Sequence, residues 1–163
     1  MLAGNNRVRG DVYDVALDEK MAPSLGGVVL GREHEVYVNP EEFFKRTLVT
    51  ERMVEVLENI LNVLMGRGGQ KVLVLSAMYG GGKTHTLLTI YHALRAPHAL
   101  LLAKPESEHV RVRISRFVEE AGRLGAPVAV VVVDGYFSEL SPSPISPLDV
   151  RAYKVHTLWG YIA

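Results

Sequence analysis

The chain has 163 residues, 48% hydrophobic and 22% charged, with eighteen Lys+Arg balancing eighteen Asp+Glu and no cysteine. That length suits one domain able to bury roughly two-thirds of its unfolded surface, and the composition excludes a chain disordered throughout. A neutral total gives no broad basic footprint for nucleic acid, and the missing thiols exclude disulfide scaffolds, cysteine-based zinc sites and thiol nucleophiles.

No signal-like apolar stretch opens the chain, and its longest apolar run, Ala126 to Val133, is far shorter than the ~20 residues that span a bilayer. A cytoplasmic protein with no membrane or nucleic-acid partner is the expectation. Residues 1–40 mix acids with Gly and Pro around one short apolar run, Val28 to Leu30, and read as a mostly extended N-terminal arm. Residues 41–163 read as the folded domain. Thr50 is placed to cap a helix opening at Glu51, with Val54, Leu57, Ile60, Leu61 and Leu64 on one face and Gly66, Gly68 and Gly69 as its stop.

Lys71 to Ser76 is then a continuous apolar run of strand length. A Gly-rich turn follows, and from Lys83 the positions Leu87, Leu88, Ile90, Tyr91 and Leu94 form a helical stripe that Pro97 ends. Ile114, Phe117, Val118, Ala121 and Leu124 mark another amphipathic helix, and Val128 to Val133 a second buried strand ending at Asp134 and Gly135. Arg111, Arg113, Arg116 and Arg123 share their segment with Glu106, Glu108, Glu119 and Glu120, as on a salt-bridged solvent face. Ser138 to Pro147 reads as a Ser/Pro-rich loop, and Val150 to Ala163 as the beginning of another buried element. The alternation predicts an α/β fold: a three-layer P-loop NTPase-type parallel sheet, incomplete at its C-terminal side.

Ala77-Met78-Tyr79-Gly80-Gly81-Gly82-Lys83-Thr84 fits G-x-x-x-x-G-K-[ST] with Ala in place of the first Gly. In that pattern glycines let successive backbone N–H groups converge, and the helix mouth adds unpaired donors and a positive dipole end for a triphosphate tail. Lys83 supplies a charge to the outer phosphates, and the Thr84 hydroxyl is a magnesium ligand. ATP is preferred to GTP because no guanine-reading N-K-x-D or T-K-x-D segment occurs. Arg46, Thr47 and Thr50, just before the first strand, are candidates for the adenine, with Thr50 equally suited to capping alone. Tyr79 belongs to the loop. His85 either touches phosphate or packs, and packing is the better reading. Asp134 is the single pattern candidate for a catalytic magnesium-shell acid, against the alternative that it opens a turn with Gly135.

V-Y-V-N-P-E-E-F-F-K-R-T-L-V-T-E, L-V-L-S-A-M-Y-G-G-G-K-T-H-T-L-L-T-I-Y-H and T-L-W-G-Y-I-A together resemble the start of the large prokaryotic AAA+-like P-loop ATPases catalogued as domain of unknown function 499. Some of these are similar to the PglY and BrxC type ATPases of phage-defence operons. The resemblance runs from about Val12 to the C-terminus and carries a phosphate loop onto Gly80, Gly81, Gly82, Lys83 and Thr84, with His85 a neighbour of unassigned role. It implies an N-terminal piece of a longer ATPase whose acidic magnesium-side motif comes later, which weakens Asp134 and puts hydrolysis by this chain in doubt. A protein partner or self-assembly would then complete the sheet. Two rival functions follow from the residues: a small P-loop kinase, disfavoured because Ser138 to Pro147 contains no Arg for a lid, and a non-catalytic interaction module using an exposed sheet edge.

Overall fold

The computed structural model describes residues 23–76, 78, 80–142, 148–150 and 153–157. Ala77 and Tyr79 lie outside the described residues, as do residues 1–22 of the arm and half of the Ser/Pro-rich loop. Where the arm is described it is not extended. Helix α1 (Leu25–Val29) and helix α2 (Glu35–Val38) form there, capped by Ser24 and His34 side chains, and Val28 is buried in the core. Both are short enough to depend on that docking for stability.

Helix α3 (Pro40–Arg46) begins with Pro at its first position and the Asn39 side chain accepting from the Glu41 and Glu42 amides, two local signals that start a helix. It delivers Phe43 and Phe44 into the core, Phe44 with 0% exposure. Strand β1 (Leu48–Val49) follows, and then helix α4 (Glu51–Leu64) opens at Thr50 as expected, with Thr50 Oγ1 accepting from the Met53 amide. Val54, Leu57 and Leu61 are its buried face, whereas Leu64 is exposed. Its stop is the left-handed Gly66, with the Gly66 amide bonded to the Val63 carbonyl and the Arg67 amide to that of Asn62, the paired closure that a glycine in this conformation permits.

Helix α5 (Lys83–Arg95) also forms where the stripe predicts, but rotated. Its buried residues are Leu88, Thr89, Tyr91, His92 and Ala93, and Leu87 is exposed. The polar members fit because each is satisfied: Thr89 Oγ1 donates to the His85 carbonyl at 2.9 Å, and His92 Nε2 lies 2.8 Å from the Tyr37 carbonyl. His92 therefore reaches α2, and rings of Phe43, Phe44 and Tyr91 surround it. A 3₁₀ segment, Pro97–Leu102, strand β2 (Lys104–Pro105) and helix α6 (Glu108–Ala121) complete the helical body. Strands β1 and β2 pair in parallel, Leu48 opposite Lys104 and Val49 opposite Pro105.

The charged face on α6 matches the expectation, with Arg111–Glu108 at 2.9 Å and Arg116–Glu120 at 3.0 Å along the helix. Arg113 departs from it. With 17% side-chain exposure it bridges to Glu58, at 2.5 Å, and to Glu51, tying α6 to α4.

The sheet requires the main correction. Among the described residues there are two separate two-stranded sheets, the β1–β2 pair and an antiparallel hairpin of β3 (Leu148–Val150) and β4 (Tyr153–Val155). The fold is thus mixed helix and strand, compatible with an α/β class, and neither run expected as a central strand joins a ladder. Val72 and Val74 are 80% and 84% exposed. The second run alternates, with Val132 buried and Val131 and Val133 exposed. A strand is completed by a neighbouring backbone rather than by its own residues, and no described strand lies alongside either run.

Candidate functional site

The Gly-rich turn enters α5 through two left-handed glycines, Gly80 at φ +78° and Gly82 at φ +73°. A Cβ at either position would meet nothing within 4 Å, so conformation rather than space is what calls for glycine there. The Gly81 amide donates to the Met78 carbonyl at 3.0 Å, closing the turn, and Lys83 Nζ donates to the same carbonyl at 3.0 Å. Gly82 is the residue before the helix, and no side chain caps it. A helix mouth without a side-chain cap leaves its first-turn donors for solvent or an anion. Thr84 is exposed in that first turn.

Beside the turn is a groove of about 770 Å³ between the start of α4 and residues 73–76. Its lining includes Gly81, Gly82, Lys83, Thr50, Glu51 and Glu106. Of the three residues expected at a base, the structure brings only Thr50 to this groove, where it also performs its capping role. Thr47 is 1% exposed, its hydroxyl donating to the Phe43 carbonyl at 2.8 Å and its own carbonyl accepting from Lys104, so it holds α3 and β2 together. Arg46 pairs with Glu42 at 2.6 Å one turn back along α3.

His85 packs its ring 5.1 Å from that of Phe43, and burial pushes its pKa below the ordinary histidine value. This is the packing alternative. Burial likewise lowers His92, opposed by its bond to the Tyr37 carbonyl and reinforced by the nearby Arg95 charge. Since a carbonyl can only accept, His92 carries its proton on Nε2 in this arrangement.

Asp134 is engaged at both carboxylate oxygens, Oδ2 accepting from the Gly26 amide at 3.1 Å and Oδ1 from the Tyr136 amide at 3.0 Å. The second bond is the turn-opening role; the first pins α1 from far along the chain. A Cβ on Gly26 would sit 2.5 Å from Asp134 Oδ2 and from the Phe137 ring, so the approach requires glycine. Asp134 does not line the groove beside the turn.

Sequence reasoning missed Arg52, Met53, Glu55 and Glu106 in the groove lining. The helical period of α4 could have placed Arg52 and Glu55 on its outer side, away from Val54 and Leu57, and Met53 at the edge of the buried face. Glu106 had no such signal: it reaches the groove because the β1–β2 pair places it there, its amide bonded to the Val49 carbonyl and its carboxylate accepting from the Glu51 amide at 2.9 Å.

No helix among the described residues is long and apolar enough to cross a membrane. No curated protein and no solved structure matches the chain significantly. The family model described as the DUF499 N-terminal domain matches residues 1–163, and the chain belongs to that family.

Proposed function

We propose that the chain binds a nucleoside triphosphate, ATP by preference, through the turn at the mouth of α5, within a P-loop NTPase-type domain of an AAA+-like ATPase. The observation that carries this reading is the pair of left-handed glycines leading into a helix that no side chain caps, in a segment whose sequence spaces Lys and Thr for phosphate and magnesium. Lys83 would turn from the Met78 carbonyl to the outer phosphates, and Thr84, exposed in the first turn, would ligate magnesium. Asp134, with both oxygens on backbone amides, suits a structural role better than a magnesium-shell role, and hydrolysis would draw its acid from a partner or further chain. A place in phage defence rests on the sequence resemblance alone. Calorimetric titration with Mg-ATP tests the reading. The wild-type chain should bind, and Lys83→Ala should weaken binding by about tenfold or more through loss of a charge-assisted contact. Absence of binding by the wild type would end it.

A second reading is favoured by the exposure of Val72 and Val74: a protein partner or a second copy adds a strand along residues 72–75. Replacing Val72, which is exposed and does not line the groove, with Lys should then abolish that association in sedimentation while leaving Mg-ATP binding intact. Unaltered sedimentation of the variant would exclude this reading.

A further inference from the structure

Apolar and charged side chains share the lining of the groove beside the turn. Met53 and Val56 come from α4, Leu73 and Leu75 from the extended run. Five charged residues also line it: Glu51, Arg52, Glu55, Lys83 and Glu106. Three of these are engaged. Glu51 is held by Arg113, Glu106 accepts from the Glu51 amide at 2.9 Å, and Lys83 donates to the Met78 carbonyl at 3.0 Å. The side chains of Arg52 and Glu55, three residues apart on α4, make no hydrogen bond or ion pair among the described residues.

We propose that this groove receives the nucleoside half of the nucleotide, with the base against Met53 and Leu75 and the ribose hydroxyls donating to the Glu55 carboxylate. The inference rests on the phosphate reading of the turn and goes beyond it by assigning the rest of the ligand. Size and composition support it: about 770 Å³ lies within the range of small-molecule sites, and apolar walls with a few polar groups are their usual make-up. Charge supports it too. Three carboxylates against Arg52 and Lys83 disfavour a further phosphate and suit a neutral, hydroxyl-bearing group. Continuity supplies the link, because Gly81, Gly82 and Lys83 belong to both the turn and the groove.

The test is calorimetric titration of the full chain and of Glu55→Ala with three magnesium complexes: ATP, 2′,3′-dideoxy-ATP and inorganic tripolyphosphate. Glu55 is exposed on a helix, where Ala is a better helix former, so the variant should melt no lower than wild type. We expect wild type to hold ATP about tenfold or more above tripolyphosphate, and Glu55→Ala to lose about tenfold for ATP with little change for the dideoxy nucleotide. Equal affinity for ATP and tripolyphosphate would overturn the nucleoside groove and leave the phosphate turn standing. A preference for ATP that Glu55→Ala does not diminish would overturn the ribose assignment. Failure of all three to bind would remove the phosphate reading, and this inference with it.

Discussion

Helix α4 and the run at residues 72–75 are neighbours in sequence and both rich in Val and Leu, yet Val54 and Leu57 are buried while Val72 and Val74 face outward. The helix satisfies its own backbone and needs only one face covered, which α6 and α5 provide through Phe117, Leu88 and their neighbours. The extended run has no internal hydrogen bonds and depends on neighbouring strands for both its backbone and its second face. What the contrast teaches is that apolar content alone does not bury a segment. The helical body closes on itself, whereas the two Val-rich runs stay half-finished surfaces beside it.

The sharpest way to break this comparison is to remove core volume on the helical side. Phe44→Ala, at a fully buried ring, should cost about 3–5 kcal/mol in urea unfolding, and a loss below about 1 kcal/mol would show that α3 is not part of the closed body. Next comes the junction between the two regions. Asp134→Asn can present only one oxygen to the Gly26 and Tyr136 amides, so it should cost about 1–3 kcal/mol. A variant of unchanged stability that lost nucleotide hydrolysis would instead return Asp134 to the catalytic role.

A pH titration of stability sharpens the helical side further. Burial holds both His85 and His92 below the ordinary histidine pKa in the folded chain. Below that value the unfolded chain binds protons that the folded one resists. Stability should therefore be full above the ordinary histidine range and fall as pH drops through it toward the lowered values. The carboxylates of Glu42, Glu120 and Glu139 are held below the usual carboxylate range by their lysine and arginine partners, so their contribution should fade only at still lower pH. Chemical denaturation between pH 7 and 5 checks the histidine window, and His92→Gln should flatten it. The smallest effect belongs to the unfinished surface. Val74→Ala, at a position 84% exposed, should stay within about 0.5 kcal/mol of wild type in the same urea assay.

Much of the helical body was legible from local signals. Thr50 as a cap, Gly66 as a stop, the Ile114–Phe117–Val118 face and the compensated arginines act through residues close in sequence, so pattern reaches them. The turn at residues 80–82 was legible for the same reason: left-handed glycines before a Lys-Thr helix start are a local arrangement. Thr47 misled because its hydroxyl and carbonyl are engaged by the Phe43 carbonyl and the Lys104 amide, the second of which no local pattern reveals. The rotation of α5 likewise followed from His92 meeting Tyr37 across the fold.

By itself, then, the sequence determined where α4 and α5 begin and end, the Gly-rich turn between them, and which family the chain belongs to, since each is encoded in short stretches of residues. Only the tertiary structure decided which polar groups are engaged and which line a groove. Asp134 on the Gly26 amide, Arg113 between Glu51 and Glu58, and Glu106 beside Lys83 join residues far apart in the chain. Their partners are chosen by the packing of whole elements, and that packing is cooperative and non-local.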